Sequence, residues 1–356
     1  MSHFSLLRDP EAYRPTDWNL LEDDAGRKHW LDHFEVQFVN TLENAVKQYG
    51  KAAAPQIEQA RADFAQAISR LREDPAGLNN NGQLTVLDLD YVREKILHSH
   101  GLHDPYLKTK QQANFSALEA YPEVVRELHA LPNDEKWLYL FESVLTGNMF
   151  DLGSKTTMHL QGTAEEFFDM MDELKERPWL IDDFDHVEAA LLDGPPAKWS
   201  KVVMFVDNAG PDFVLGVMPL ARELSLIGTQ VVLAANENAA LNDMTVDETT
   251  DMVRRIAAVD PDLEAMIEAR MFEVASTGTG VPLLDLRNVS NELNEAAEDA
   301  DLVAFIGMGR ALESNFDVDL NVDTLHLAII KDPMVAQRYG GQPYDCVIRY
   351  RPVDTA

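Results

Sequence analysis

Lys201-Val202-Val203-Met204-Phe205-Val206-Asp207-Asn208-Ala209-Gly210-Pro211-Asp212 is the stretch on which the reading of this chain turns. A β-branched and apolar run without polar alternation fits a strand buried on both faces of a parallel sheet. The acidic turn that closes it leads into an amphipathic helical pattern over 213–227. The arrangement then recurs. Gln230-Val231-Val232-Leu233-Ala234-Ala235-Asn236 is followed by Leu241-Asn242-Asp243-Met244-Thr245 and a helical pattern over 246–258. Strand-like runs at 302–306, 325–330 and 346–350 complete the set. Strands alternating with helix-length connections predict an α/β part of Rossmann-like, three-layer α/β/α form, its sheet mainly parallel and covered on both faces. In such sheets ligands collect beyond the carboxyl ends of the strands. Carboxylate and carboxamide oxygens, and no thiolates, would line that crevice, which suits Mg²⁺ or Mn²⁺ and, through the ion, a phosphate.

Upstream the texture is helical. Trp30, Phe34, Phe38, Leu42, Val46 and Tyr49 recur at three- and four-residue steps before Gly50, and Ile57, Phe64, Ile68 and Leu71 repeat the pattern. Further helices are predicted over 84–98, 116–130, 135–145 and 163–175. Asp193-Gly194-Pro195-Pro196 marks a boundary. The expected organisation is a mainly helical amino-terminal part, 1–194, and an α/β metal- and phosphate-binding part, 195–356.

Composition narrows the function. The 356 residues carry 30 basic and 61 acidic side chains, a formal charge of −31. Nucleic acid and anionic membrane surfaces, which need a basic face, are therefore not expected partners. The acid is dispersed over the chain, as on a solvated surface. There is no run of eighteen apolar residues, and the first residues lack the pattern of a signal peptide. The single cysteine, Cys346, lies in an apolar run and reads as a buried, inert thiol. A cytoplasmic location is expected.

Individual residues admit bland and chemical readings side by side. Asp212 could cap the helix that begins near Phe213, yet Asp207, Asn208 and Asp212 at one strand end and Asn242-Asp243 after the next supply several oxygen ligands to one crevice. Gly307-Met308-Gly309-Arg310 fails as a dinucleotide loop because residue 312 is leucine. It fits a tight turn that brings backbone N–H groups and Arg310 toward a phosphate, or an exposed arginine. Lys331 is either a second phosphate-binding cation or an ordinary strand-end lysine. Gly147-Asn148 is a helix stop or, with Asp151, a loop over the substrate. His98, His100 and His103 lack an acidic partner at ligand spacing and read as a polar loop.

Several of these segments, taken together, resemble the damage-control phosphatases, formerly domain of unknown function 89. The likeness rests on Val206-Asp207-Asn208-Ala209-Gly210, Leu215-Gly216-Val217-Met218-Pro219, Leu233-Ala234-Ala235-Asn236 with Asn242-Asp243, Gly147-Asn148-Met149-Phe150-Asp151, Arg177-Pro178-Trp179-Leu180-Ile181-Asp182, Gly307-Met308-Gly309-Arg310 and Gly340-Gly341-Gln342-Pro343-Tyr344-Asp345. It runs from about residue 85 to the terminus and points to the branch of plant stand-alone proteins and the carboxy-terminal domain of pantothenate kinase four. The resemblance implies a metal-dependent phosphatase for sugar phosphates or phosphopantetheine-like compounds. Asp207, Asn208 and Asp243 would hold Mn²⁺ or Mg²⁺, with Co²⁺ or Ni²⁺ as further candidates. Asp207, Asp212 and Arg310 would act in catalysis, and Asn148, Asp151, Arg310 and Lys331 would bind substrate. Two departures stand out. Ala209 replaces the family's serine, and Ile306 stands where the branch carries glutamate. Water attack and a covalent aspartyl-phosphate are both open. Two rival readings are a carboxyl methyltransferase using S-adenosylmethionine and a non-catalytic metabolite-binding protein. The first lacks a glycine-rich loop after the first strand.

Overall fold

The computed structural model describes residues 1–78, 82–150, 162–192 and 198–353. Among the described residues seven strands form one sheet: β1 (Ile181–Asp182), β2 (Lys201–Phe205), β3 (Gln230–Ala235), β4 (Phe272–Ser276), β5 (Leu302–Ile306), β6 (Asp323–Ile329) and β7 (Cys346–Arg351). Their spatial order is β1-β7-β6-β5-β2-β3-β4. The chain runs from β2 outward through β3 to β4, then returns to the other side of β2 as β5. The order therefore reverses between β2 and β5, where an open α/β sheet leaves a crevice at its carboxyl ends.

One strand departs from the parallel expectation. β7 runs antiparallel to β6, although it pairs parallel with β1. Past the strand ends the main chain keeps pairing, with Ile330 N–H donating to Asp345 O and Tyr344 N–H to Ile330 O. The connection is thus a long hairpin loop and not a crossover. The edge strand β4 escapes the periodicity argument. Phe-Glu-Val-Ala-Ser is short and carries an exposed glutamate at 273, so it presents no continuous apolar run.

The described residues also form twelve α-helices: α1 (Asp24–Tyr49), α2 (Ala54–Glu73), α3 (Val86–Ser99), α4 (Leu107–Ala130), α5 (Lys136–Met149), α6 (Ala164–Asp172), α7 (Phe184–Leu192), α8 (Met218–Leu226), α9 (Val246–Ala257), α10 (Pro261–Glu268), α11 (Asn291–Ala296) and α12 (Pro333–Arg338). The sheet's period of two sorts its side chains cleanly. Val203, Phe205, Val303 and Phe305 join one core with Phe4, Trp30, Phe34, Phe38 and Phe64. Val202, Met204, Leu302, Ala304 and Ile306 join a second core with Tyr121, Phe141, Phe167 and Phe184. The helical amino-terminal sequence accordingly covers both faces, α1–α3 on one and α4–α7 on the other. The chain's start is tied to the same body, because Ser2 and Leu7 bridge to Val289 and Leu320. Residues 193–197, where the sequence suggests a boundary, lie outside the described residues. Among the described residues no helix is long and apolar enough to cross a membrane. Cys346 is buried and free, and burial pushes its thiol up to about 12, which leaves it protonated and inert.

Candidate metal and phosphate site

β2 delivers Asp207 to the switch point, and the loop after β3 is stitched to the same turn. Asn208 and Asp243 form an isolated antiparallel bridge. Ala209 N–H donates to Asn242 O at 2.9 Å, and Met244 N–H donates to Asp207 O at 2.9 Å. Asp243 thereby reaches Asp207 from a different strand. Immediately afterwards Thr245 and Glu248 close a capping box that starts α9. Such caps contribute about 0.5–2 kcal/mol. Glu248 also takes a 2.8 Å hydrogen bond from the buried Lys110 of α4, whose ammonium donates to Asp243 O at 3.3 Å. Asn114, one turn further along α4, accepts from Gly210 N–H at 2.6 Å. α4 thus braces the loops that carry Asp207 and Asp243.

Arg310 follows β5 on a short π-helical turn, Gly309–Glu313, and a second such turn, Asp212–Val217, follows β2. Turns of this kind recur at functional sites. The Arg310 guanidinium is buried and holds two carboxylates together. It is ion-paired with Asp207, and its Nη2 lies 2.8 Å from Asp243 Oδ2. The residue between β5 and Met308, which leads into this turn, must be glycine. Gly307 has φ +92°, and a Cβ there would lie 2.0 Å from Asp207 Oδ2. Gly307→Ala is therefore expected to displace the Asp207 carboxylate and weaken divalent-ion binding at least about tenfold, as disturbing the support of a metal ligand does. Calorimetric titration with Mn²⁺ checks this, and an unchanged affinity would show that the carboxylate position does not matter.

The helical sequence enters the site through α5. Gly147 packs on the Asp212 backbone, where an added Cβ would come within 2.8 Å of Asp212 Cα. That close approach carries the next residue into the carboxylate cluster. Asn148 Nδ2 donates to Asp207 Oδ2 at 3.1 Å and to Asp212 Oδ2 at 2.9 Å. Asn208 Nδ2 donates to the same two oxygens, each at 2.8 Å. Lys331, beyond β6, donates from Nζ to Asn148 O at 3.1 Å. Asp151 lies outside the described residues.

Asp207, Asn208, Asp243 and Lys331 open on one cavity of about 340 Å³, whose lining also includes Asp332 together with Trp30 and His33 of α1, whereas Arg310 and Asn148 are buried and outside that lining. Asp212 is not among the residues that line it. It lies wholly buried behind Asp207, and burial together with the Asp207 charge raises its carboxyl to about 7. Burial and Asp207 also raise Asp243, to about 6, with Arg310 opposing. Asp90 and Glu313 add two more buried acids to the wall, both raised chiefly by desolvation. So many carboxylates in one low-dielectric pocket repel one another, and a divalent ion relieves that repulsion. Asn148 Oδ1 and Asp212 Oδ1, buried behind this wall, have no hydrogen-bond partner among the described residues, so two further oxygen acceptors stand beside the carboxylates.

Comparison with known proteins gives the chain its family. Residues 36–347 match the family described as the damage-control phosphatase ARMT1-like domain. The chain belongs to the damage-control phosphatase family. It is 33% identical to a damage-control phosphatase of Arabidopsis thaliana, covering 90% of this chain and 89% of that one. It is 36% identical to pantothenate kinase 2 of Arabidopsis thaliana over 98% of its own length. It is also 31% identical to the 4'-phosphopantetheine phosphatase of Mus musculus. The chain spans only 42% of the plant pantothenate kinase 2 and 48% of the mouse protein. A family structure from Pyrococcus horikoshii superposes with a TM-score of 0.63 at 19% identity, covering 90% of this chain and 96% of that one, and so shares the fold.

Several groups in this damage-control phosphatase fold were not legible as site residues. Lys110 and Asn114 reach the loops only through packing of α4. Asn236, whose Nδ2 donates to Asp243 Oδ2 at 3.1 Å, belongs to a motif that the sequence offers, but its role of holding that carboxylate is visible only in the fold. His29 and His33 had a usable signal, four-residue spacing inside a helical pattern. The histidines weighed from sequence sit elsewhere. His100 Nε2 lies 2.8 Å from Asp63, and His98 meets His103 edge to face.

Proposed function

We propose that this protein is a metal-dependent phosphatase that hydrolyses phosphate monoesters of small metabolites, such as sugar phosphates or phosphopantetheine-like compounds. The observation that carries the proposal is the convergence of Asp207, Asn208 and Asp243 on one cavity at the switch point, flanked by Arg310 and Lys331. The phosphopantetheine class is supported by the name of the mouse relative and the damage-control role by that of the plant one. Asp207, Asn208 and Asp243 would hold Mn²⁺ or Mg²⁺, or Co²⁺ or Ni²⁺. When bound, such an ion polarises a phosphoryl oxygen and lowers the pKa of a coordinated water. Arg310 fixes the two carboxylates in register and holds a permanent positive charge just behind the cavity wall, where it favours the charge that develops in phosphoryl transfer. Lys331 adds a second positive charge on the cavity wall. Asn148 spans Asp207 and Asp212 and so sets the height of α5 over the site. Asp212, behind the wall, is a positioning residue that orients Asn148 and Asn208, so proton transfer falls to groups that line the cavity. A cytoplasmic setting belongs to the same proposal, supported by the single buried, unpaired cysteine.

The test is phosphate release from sugar phosphates and 4'-phosphopantetheine with and without added Mn²⁺ or Mg²⁺. Metal-dependent release is expected, and release that is unaffected by removing the metal overturns the proposal. Methyl transfer from S-adenosylmethionine without phosphate release would instead support the carboxyl methyltransferase. Arg310→Ala is expected to lower kcat/KM roughly ten- to hundredfold, since a charge-assisted hydrogen bond contributes about 1.5–3 kcal/mol. Arg310→Lys should recover little, because one ammonium cannot span two carboxylates as the planar fork does. Full recovery by lysine would show that charge alone matters there.

A further inference from the structure

A second cluster on the same cavity has different chemistry. His29 and His33 stand four residues apart on α1, so both rings project from one face of the helix. Asp332 meets them from the end of β6. Its Oδ2 lies 2.7 Å from His29 Nε2, and one ligand atom from each of the three side chains falls within 4.8 Å of the others. Asp332 is held in place by its second oxygen. As the cap of α12, its Oδ1 accepts from Met334 N–H at 2.8 Å and Val335 N–H at 3.2 Å. One oxygen is therefore spent on the backbone and the other is aimed at the histidines, the orientation that a metal-ligating carboxylate needs. The side chains stay reachable, with Asp332 buried and His29 half-buried.

We propose that His29, His33 and Asp332 form a second metal site, for a borderline divalent ion such as Zn²⁺ or Co²⁺, on the wall of the cavity that contains Asp207 and Asp243. Two imidazoles and a carboxylate are a donor set for such ions, while the oxygen-only set of Asp207, Asn208 and Asp243 suits Mg²⁺ or Mn²⁺. Three protein ligands leave a position open toward the cavity, as in sites that bind water or substrate. His33 and Asp332 both line that cavity, so the ion would add positive charge to a wall rich in carboxylates, of which Asp90 and Glu313 are two. An anionic substrate gains from this charge. The ion would also pin α1 to the β6–α12 connection, across the two sequence-distant parts that form the pocket.

Co²⁺ serves as the probe, because its visible ligand-field absorption reports coordination geometry without any need for turnover. The whole 356-residue chain, saturated with Mg²⁺, is titrated with Co²⁺. One equivalent is expected to give visible bands of low-coordinate Co²⁺ with nitrogen ligands. His33→Ala should abolish the bands or weaken Co²⁺ binding at least about tenfold, the minimum for loss of a direct ligand. Asp332→Asn keeps a good helix cap and should weaken binding similarly, so a loss in both variants is not a folding defect. Asp207→Asn should leave the bands in place. Bands that survive His33→Ala but vanish in Asp207→Asn would assign the ion to the oxygen site and overturn the proposal. Absence of one-equivalent binding in the wild type would also overturn it. The Mg²⁺-dependent phosphatase reading is independent of either result, since it is tested by phosphate release alone.

Discussion

Asp207→Asn is expected to lower phosphate release by about a thousandfold, the effect of about 4 kcal/mol lost from transition-state stabilisation when a metal site is disabled. The change is isosteric, so the loss is one of charge and not of shape. Asp207 is the hub of the site. It ion-pairs with Arg310, accepts from Asn148 and Asn208, and its main-chain oxygen receives Met244 N–H. An asparagine keeps the backbone contact and one side-chain oxygen, so the fold should persist. A second readout separates site from fold. Wild-type protein should melt at a higher temperature in the presence of Mn²⁺, since a ligand of the native state stabilises it by mass action. Asp207→Asn should lose that increment while keeping a cooperative melt. Unchanged turnover and an unchanged Mn²⁺ increment would together remove Asp207 from the metal site.

Ile306→Glu should destabilise the protein by about 3–5 kcal/mol, as an uncompensated buried charge does. The branch that the sequence resembles carries a glutamate before Gly307. Here the register turns the side chain at 306 into the core. Ile306 follows Leu302 and Ala304 on one face of β5, is wholly buried, and packs in the core with Met204 and Leu327. It is not among the residues that line the cavity. A carboxylate at this position would enter an apolar layer. Urea denaturation of wild type and variant measures the difference. A variant of normal stability but altered substrate ranking would show that the side chain at 306 reaches the cavity after all.

The α/β class was legible because buried parallel strands leave an unmistakable trace. Val202–Val206 and Val231–Ala235 are runs without a polar face, and helical periods separate them. Asp207, Asn208 and Asp243 were legible as candidates because open sheets place strand ends around one crevice, and because the motifs around them resemble those of a known family. Local sequence says nothing about partners across space. Neither β-branching nor spacing could reveal that β7 turns back antiparallel on β6, since that depends on hydrogen bonds between Ile330, Tyr344 and Asp345 that close a hairpin.

Sequence by itself determined the strand-and-helix alternation, the oxygen-rich character of the turns after β2 and β3, and the near-absence of thiol chemistry. Tertiary structure alone decided that Arg310 clamps Asp207 to Asp243 and that Asp212 stands behind the wall. It alone brought Asn148, Lys110 and the α1 histidines to the same crevice from helices far away in the chain. The physical reason is packing. Glycines at 147 and 307 permit approaches that any side chain would block, and the alternation of β5 turns Ile306 into the core. Those outcomes depend on which surfaces meet, and no local pattern encodes that.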